Sequence, residues 1–248
     1  MERKAKSINN AFYNDLGSKW HEGEDDPLVL LRAENALRNP WIDKVAQERL
    51  GRKCTILDIG CGGGLLTNFL SLQGHAVCGV DLSEESLKQA RERDVTKNVA
   101  YTHASAYQLP YPDKQFDVVC AMDLLEHVES PDKVIAEVGR VLKKGGLFFF
   151  HTFNRNFLSW LVIIKGVEWF VPNTPPNMHV YPLFLKPSEV KKMCCLNGMT
   201  VEEIKGVSPD FNSFAFWKMI FRRKLSSQIK FHFTPSLKMG YSGYAIQR

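Results

Sequence analysis

No apolar run in this 248-residue chain is long enough to span a bilayer, and its opening stretch MERKAKSINNAFYNDLG lacks the apolar core of a secretion signal. We therefore expect neither an integral membrane protein nor one exported through such a signal. Paired cysteines are missing as well. Cys54, Cys61, Cys78, Cys120, Cys194 and Cys195 show no CxxC spacing, and several sit in or beside apolar runs. This predicts reduced, buried thiols, a cytoplasmic location and no structural zinc. Charge of one sign is not in strong excess: the net charge is +5, too mild to require a nucleic-acid partner, and no strongly basic accessory region stands out. Repeats and low-complexity tracts are absent. What remains, 44% hydrophobic and 24% charged, is the composition of a domain able to bury a substantial core.

The pattern of that composition predicts an α/β fold. The first fifty residues read as helical and aromatic, with Pro40 expected to break the long helix. Then CTILDIG reads as a buried strand, LLTNFLSLQG as a helix closed by Gly74, HAVCGVDL as a strand and SEESLKQARER as a helix capped by Ser83. VAYTHAS, QFDVVCAMD and LFFFHTFN supply further strands, with SPDKVIAEVGRVLKKGG the helix before the last. Strands and helices alternating over short loops imply a Rossmann-like, doubly wound, mostly parallel sheet. We expect one domain over 1–248: a helical cap (1–50), a core (51–155), an apolar insertion after strand five (156–185) and a C-terminal part (186–248). In that last part SEVKKMCCLNG reads as a helix and MTVEEIKGVSP as a sixth strand, with an aromatic and basic tail added.

Two more absences narrow the ligand. Glycine-rich LDIGCGGG joins a strand to a helix, so a ligand can approach the backbone and its amide groups. The dinucleotide pattern GxGxxG would need a glycine at position 65, which is leucine, and no GK[ST] follows, which excludes a phosphate-binding P-loop. The motif present is DxGxGxG, made of Asp58, Gly60, Gly62 and Gly64. An acid beside the loop would repel a pyrophosphate but attract the ammonium of a methionine moiety. Asp81 ends the second strand, where a carboxylate can accept from both ribose hydroxyls.

This ordered series resembles the class I S-adenosylmethionine-dependent methyltransferases, with LDIGCGGG as cofactor loop, VDLS as ribose acid, LPYPDKQFDVV before strand four and VLKKGGLFFF at strand five. Many members carry an acid after strand three, whereas THASAYQ offers Ser105; Met122 is then a candidate wall for adenine. A narrower resemblance, to the ubiquinone-biosynthesis O-methyltransferases, rests on NALRNPWI, LDIGCGGGLLT, FDVVCAMDLLEHVESP, FFFHTFNRNFLSWL and HVYPLFLKPSEV in that order. It implies methyl transfer from S-adenosylmethionine to a phenolic or quinol substrate. It also implies cofactor contacts from Arg38, Gly60, Asp81 and Met122.

In DLLEH, the spacing i, i+3, i+4 would put Asp123, Glu126 and His127 on one helical face at a strand's C-terminal end. Two readings follow. The three could hold a divalent ion such as Mg²⁺ or Zn²⁺ that activates a catechol oxygen; the resembling family has Glu where this chain has Asp123. Without a metal, His127 would act as general base with Glu126 orienting its neighbours. The insertion has two readings as well. Trp160, Leu161, Ile164, Val167 and Trp169 lie largely on helical spacing, which suits core packing. By resemblance the stretch is a membrane-facing insertion, and with Arg222, Arg223, Lys224, Phe231 and Phe233 it would make peripheral contact with an anionic membrane.

Overall fold

The computed structural model describes residues 8–23, 26–222 and 225–248, so Arg223 and Lys224 lie outside the described residues. Eight strands form one sheet: β1 (Thr55–Ile59), β2 (Ala76–Asp81), β3 (Ala100–His103), β4 (Phe116–Met122), β5 (Leu142–Phe153), β6 (Met199–Pro209), β7 (Phe231–Thr234) and β8 (Gly240–Gln247). Their order is β3-β2-β1-β4-β5-β8-β6-β7. The first five pair in parallel, and β8, β6 and β7 join antiparallel. This is the mostly parallel, Rossmann-like sheet that the alternation predicted. The strand order reverses at β1 and β4, which opens a crevice at their C-terminal ends.

Strand β5 explains why both faces must be covered. Phe148 and Phe150 face one core with Val134, Ile135 and Val138 of α4 (Pro131–Val141) and Val190 and Cys194 of α7 (Pro187–Leu196). Leu147 and Phe149, on the alternate positions, face the other, with Trp41, Ile42 and Val45 of α1 (Leu28–Leu50) and Leu66 and Leu70 of α2 (Leu65–Leu72). A continuous apolar run buried on both sides has no solvent face to alternate with. Burying each such phenylalanine contributes about 1.5–3 kcal/mol. Helix α3 (Glu84–Arg93) is capped as expected, with the Ser83 hydroxyl accepting from the Ser86 amide.

Three local readings need correction. Helix α1 runs through Pro40 without a break: the buried face of Arg38, Asn39, Trp41, Ile42, Val45 and Ala46 outweighs one lost amide bond. The tail is part of the sheet, since β8 inserts between β5 and β6. Its glycines hid it, yet a Cβ on Gly243 would stand 2.6 Å from Phe150 Cζ, so the bare backbone makes room for the core ring. Finally, DLLEH is not an α-helix. Asp123 is left-handed (φ 56°) and only Leu125–His127 form a 3-10 turn, so Asp123, Glu126 and His127 share no helical face.

The inserted stretch is helical and partly core: α5 (Phe157–Ser159), a π-helical segment (Trp160–Gly166) and α6 (Val167–Phe170) bury Ser159 and Ile164, Trp160 and Val167 pack half-buried against core clusters, and Trp169 is exposed. Helix α8 (Phe214–Arg222) packs against it through Ala215 and Met219, which cluster with Val167 and Val171. No described helix is long and apolar enough to cross a membrane, and all six cysteines are free.

The glycine loop yields a stability prediction. A Cβ on Gly63 would lie 2.3 Å from Trp20 Cγ and 2.5 Å from its Cβ, atoms that cannot swing aside. Gly63→Ala should cost about 1–3 kcal/mol of unfolding free energy by denaturant titration. In a Trp20→Gly background, which removes both of those atoms, the loss should largely vanish.

Candidate active site

A cavity of about 600 Å³ opens at the crevice. Asp58, Gly60, Gly62, Asp81, Ser105, Met122, Asp123, Glu126 and His127 all line it, while Arg38 and Gly64 are not among its lining residues. Chain reversal at the strand ends brings these together: Asp58 is in β1, Asp81 ends β2, Met122 ends β4, and the 3-10 turn carries Glu126 and His127.

The glycine run turns out to admit protein as much as ligand. Gly60, Gly62 and Gly64 have φ of 72°, 50° and 83°, which only glycine adopts freely. A Cβ on Gly60 would meet Leu124 at 2.9 Å, one on Gly62 would meet the Trp20 ring at 2.4 Å, and one on Gly64 would meet Ala90 and Tyr101 at 2.8 Å. Loop and β2 are tied together, because the Gly62 amide donates to Asp81 Oδ2 and the Ser83 amide to Asp81 Oδ1, each at 2.8 Å. Each carboxylate oxygen keeps a further lone pair for a ligand hydroxyl.

Charge at this end is one-sided. Burial, with the nearby charges of Asp81 and Asp123, pushes the Asp58 carboxyl well above its ordinary range. Burial also raises Asp81, against the pull of its amide donors. A cation in the cavity would relieve both acids, so the donor set fits a ligand carrying a sulfonium and an ammonium, and with it S-adenosylmethionine.

Arg38 lies behind this wall. Its guanidinium is 1% exposed and grips Asp123 with both forks, Nη1 to Oδ1 at 2.8 Å and Nη2 to Oδ2 at 2.5 Å, while Nη1 also donates to Glu34 at 2.9 Å. Burial alone would raise the Asp123 carboxyl, but the Arg38 charge outweighs it and holds the group below its usual range. Burial raises Glu34 to about 7.

The acceptor end is nearly dry. Burial drives Glu126 up to about 8, reinforced by the Asp123 charge, and His127 down to about 4. Neither oxygen of Glu126 has a hydrogen-bond partner, nor has His127 Nδ1. Tyr13 of the Asn10–Asp15 turn and His179 flank the His127 ring, with centroids 5.6 and 5.5 Å away. Burial keeps the His179 imidazole neutral, near 3. Sequence reading missed both of these, as well as Trp20, Glu34 and His151. They sit in other elements, and the only signal for His179 was its place in HVYPLFLKPSEV.

A divalent ion does not fit the expected triad. The ligand atoms of Asp123, Glu126 and His127 do not gather; among the described residues the set that does, within 4.8 Å, is Glu34, Asp123 and His151. Arg38 already donates to both carboxylates of that set.

Comparison with known proteins decides the family. Residues 57–150 match the model of a methyltransferase domain. The ubiquinone biosynthesis O-methyltransferase of Thiobacillus denitrificans is 38% identical over 202 residues, 80% of this chain and 85% of that protein. The protein of the same name from Azoarcus is 36% identical over 200 residues, 79% and 84% of the two chains. The chain belongs to the ubiquinone biosynthesis O-methyltransferase family. It is an S-adenosylmethionine-dependent O-methyltransferase. Magnesium protoporphyrin IX methyltransferase from Synechocystis, solved with SAH bound, shares the fold of this methyltransferase at a TM-score of 0.63 and 16% identity, over 96% of this chain and 97% of that one. A Bacillus halodurans methyltransferase structure matches at 0.57 and 22%, over 79% and 93%.

The raised Glu126 carboxyl has a pH signature in this O-methyltransferase. A group whose pKa rises on folding stabilises most below its unfolded value, here 4.5, and that contribution is lost as pH climbs through about 8. Glu126→Gln has no such group. Its stability advantage over the wild type in urea titrations should therefore grow between pH 4.5 and 8, and a constant difference would contradict the assignment.

Proposed function

We propose that this O-methyltransferase methylates a phenolic hydroxyl of a polyprenylated catechol or of demethylubiquinol. The observation that carries this reading is the volume and lining of the cavity. Besides the acids and imidazoles, its walls include Val162, Ile163, Val167, Phe170, Met219 and Phe231, an apolar annex suited to an isoprenoid tail beside a polar ring. The relatives' naming for ubiquinone biosynthesis supports the same substrate class.

Bound S-adenosylmethionine supplies an electrophilic methyl group. The chain supplies the rest. Asp81 is suited to the ribose hydroxyls, Asp58 to the ammonium, Ser105 and Met122 to the adenine side, and Gly60 and Gly62 to close backbone approach, with Gly64 shaping the turn behind them. Arg38 serves the cofactor through Asp123 rather than by contact. Neutral His127 accepts the phenolic proton as the oxygen becomes a nucleophile, with Glu126 beside it in the same turn. A dry site holding both reactants aligned removes much of the entropic barrier.

Peripheral contact with an anionic membrane on the cytoplasmic side belongs to the same proposal. Phe157, Trp169, Phe214 and Phe221 are 71%, 51%, 81% and 78% exposed, and the last three lie on α6 and α8, which line the apolar annex. An aromatic surface beside the tail-binding end suits a substrate that resides in a bilayer.

Transfer of labelled methyl to a panel of polyprenylated catechols, demethylated quinols, short phenols and carboxylic acids tests the substrate. The lipid-tailed phenols should be the best acceptors; a preference for small carboxylic acids would instead support another acceptor class. His127→Ala should cut turnover about 10²–10⁴-fold with cofactor affinity unchanged. Asp81→Ala should weaken binding of the demethylated cofactor by about 10- to 100-fold in calorimetry.

A further inference from the structure

The N-terminal segment is strapped across the cavity, and its contacts run to three separate parts of the site. Trp20 packs on Gly62 and Gly63, and its Nε1 donates to Ser86 Oγ at 3.2 Å. His21 Nε2 stands 2.7 Å from the Gly63 carbonyl. Ser86 Oγ in turn donates to the Tyr13 carbonyl at 3.1 Å, and the Tyr13 ring stacks on Trp20 with centroids 5.8 Å apart. On the acceptor side, Asn10 Nδ2 donates to the His127 carbonyl at 3.0 Å. Asn9 reaches the inserted loop through Asn177 and Pro176. Tyr13 is thus fixed from both ends, its hydroxyl 3.5 Å from His127 Nε2. His127 Nδ1 is buried and has no partner in the protein.

We propose that Tyr13 is a positioning residue: its hydroxyl accepts the Nε2 hydrogen of His127, so that the imidazole presents Nδ1 as the bare nitrogen that receives the substrate's proton. This rests on the methyl-transfer reading above and adds which nitrogen acts and what sets it. A neutral imidazole has one N–H and one lone pair. With the proton on Nδ1, the buried donor there would have no acceptor, whereas an unfilled lone pair is the less costly vacancy and is filled by the acceptor's O–H when substrate arrives. Burial, with the charges of Glu126, Asp123 and Asp81, holds the Tyr13 phenol far above its ordinary range, so the hydroxyl stays neutral and can accept. The proton balance closes simply. With the sulfonium bound, the phenolic O–H bond would break and its proton go to Nδ1, an oxygen electron pair would form the O–CH₃ bond, and the methyl–sulfur bond would break with its pair left on sulfur as a neutral thioether.

The test reads the tautomer directly and needs no substrate, so it separates this proposal from the substrate assignment. In long-range ¹H–¹⁵N spectra of ¹⁵N-histidine-labelled protein, with His127 assigned by its loss in His127→Gln, wild-type His127 should show a protonated Nε2 and a bare Nδ1. Tyr13→Phe keeps the ring that stacks on Trp20 and removes only the hydroxyl. It should shift His127 toward a mixture of tautomers and lower kcat about tenfold or more, with affinity for the demethylated cofactor unchanged. A protonated Nδ1 in the wild type would overturn the proposal even if the variant failed to fold. So would a Tyr13→Phe spectrum identical to the wild type.

Discussion

The Arg38 guanidinium gripping Asp123 is the interaction on which the site depends. Asp123 directly follows β4 in a left-handed backbone conformation, which costs most side chains energy but which a short polar side chain tolerates. Two fork-like hydrogen bonds from a fully buried arginine over-determine that conformation. Because the chain reverses there, the next residues form a tight 3-10 turn, and Glu126 and His127 are carried to the cavity. The departure from Glu to Asp at this position, relative to the resembling family, has a physical account: the shorter side chain suits both the backbone and the arginine. Removing Arg38 would leave the Asp123 charge unanswered, a loss of about 3–5 kcal/mol in comparable buried pairs.

The pair also sorts the charges. By answering Asp123, Arg38 leaves Asp58 and Asp81 as the unanswered acids at the donor end. Cation attraction is thereby concentrated where a sulfonium nucleoside fits. At the other end, burial raises the Glu126 carboxyl and lowers the His127 imidazole, so both favour their neutral forms. One cavity thus has an anionic end, a neutral basic end and an apolar extension, each set by burial rather than by residue type alone.

The parallel half of the fold was legible because doubly buried strands and capped amphipathic helices leave periodic traces, as Phe148 to Phe150 and Ser83 do. The antiparallel half was not: β8 reads GYSGYAIQ, and glycines that admit the Phe150 ring look like turn residues until the ring is seen. Asp58 and Asp81, which line the cavity beside the loop, were legible from their spacing to the glycines. Tyr13, Glu34, His151 and His179 were not, because each reaches the site from a distant element and has no local pattern of its own. DLLEH misled for a different reason. Helical spacing assumes right-handed backbone, and one left-handed aspartate removes the shared face.

Arg38 already donates to both carboxylates of the one set of described residues whose ligand atoms gather, and methyl transfer is therefore predicted to proceed without a divalent ion. Turnover of a lipid-tailed catechol by protein dialysed exhaustively against chelator, with bound metal quantified in the same sample, measures this most directly. Full activity at negligible metal content is the predicted result. Activity lost on chelation and restored in proportion to added Mg²⁺ or Zn²⁺ would contradict it.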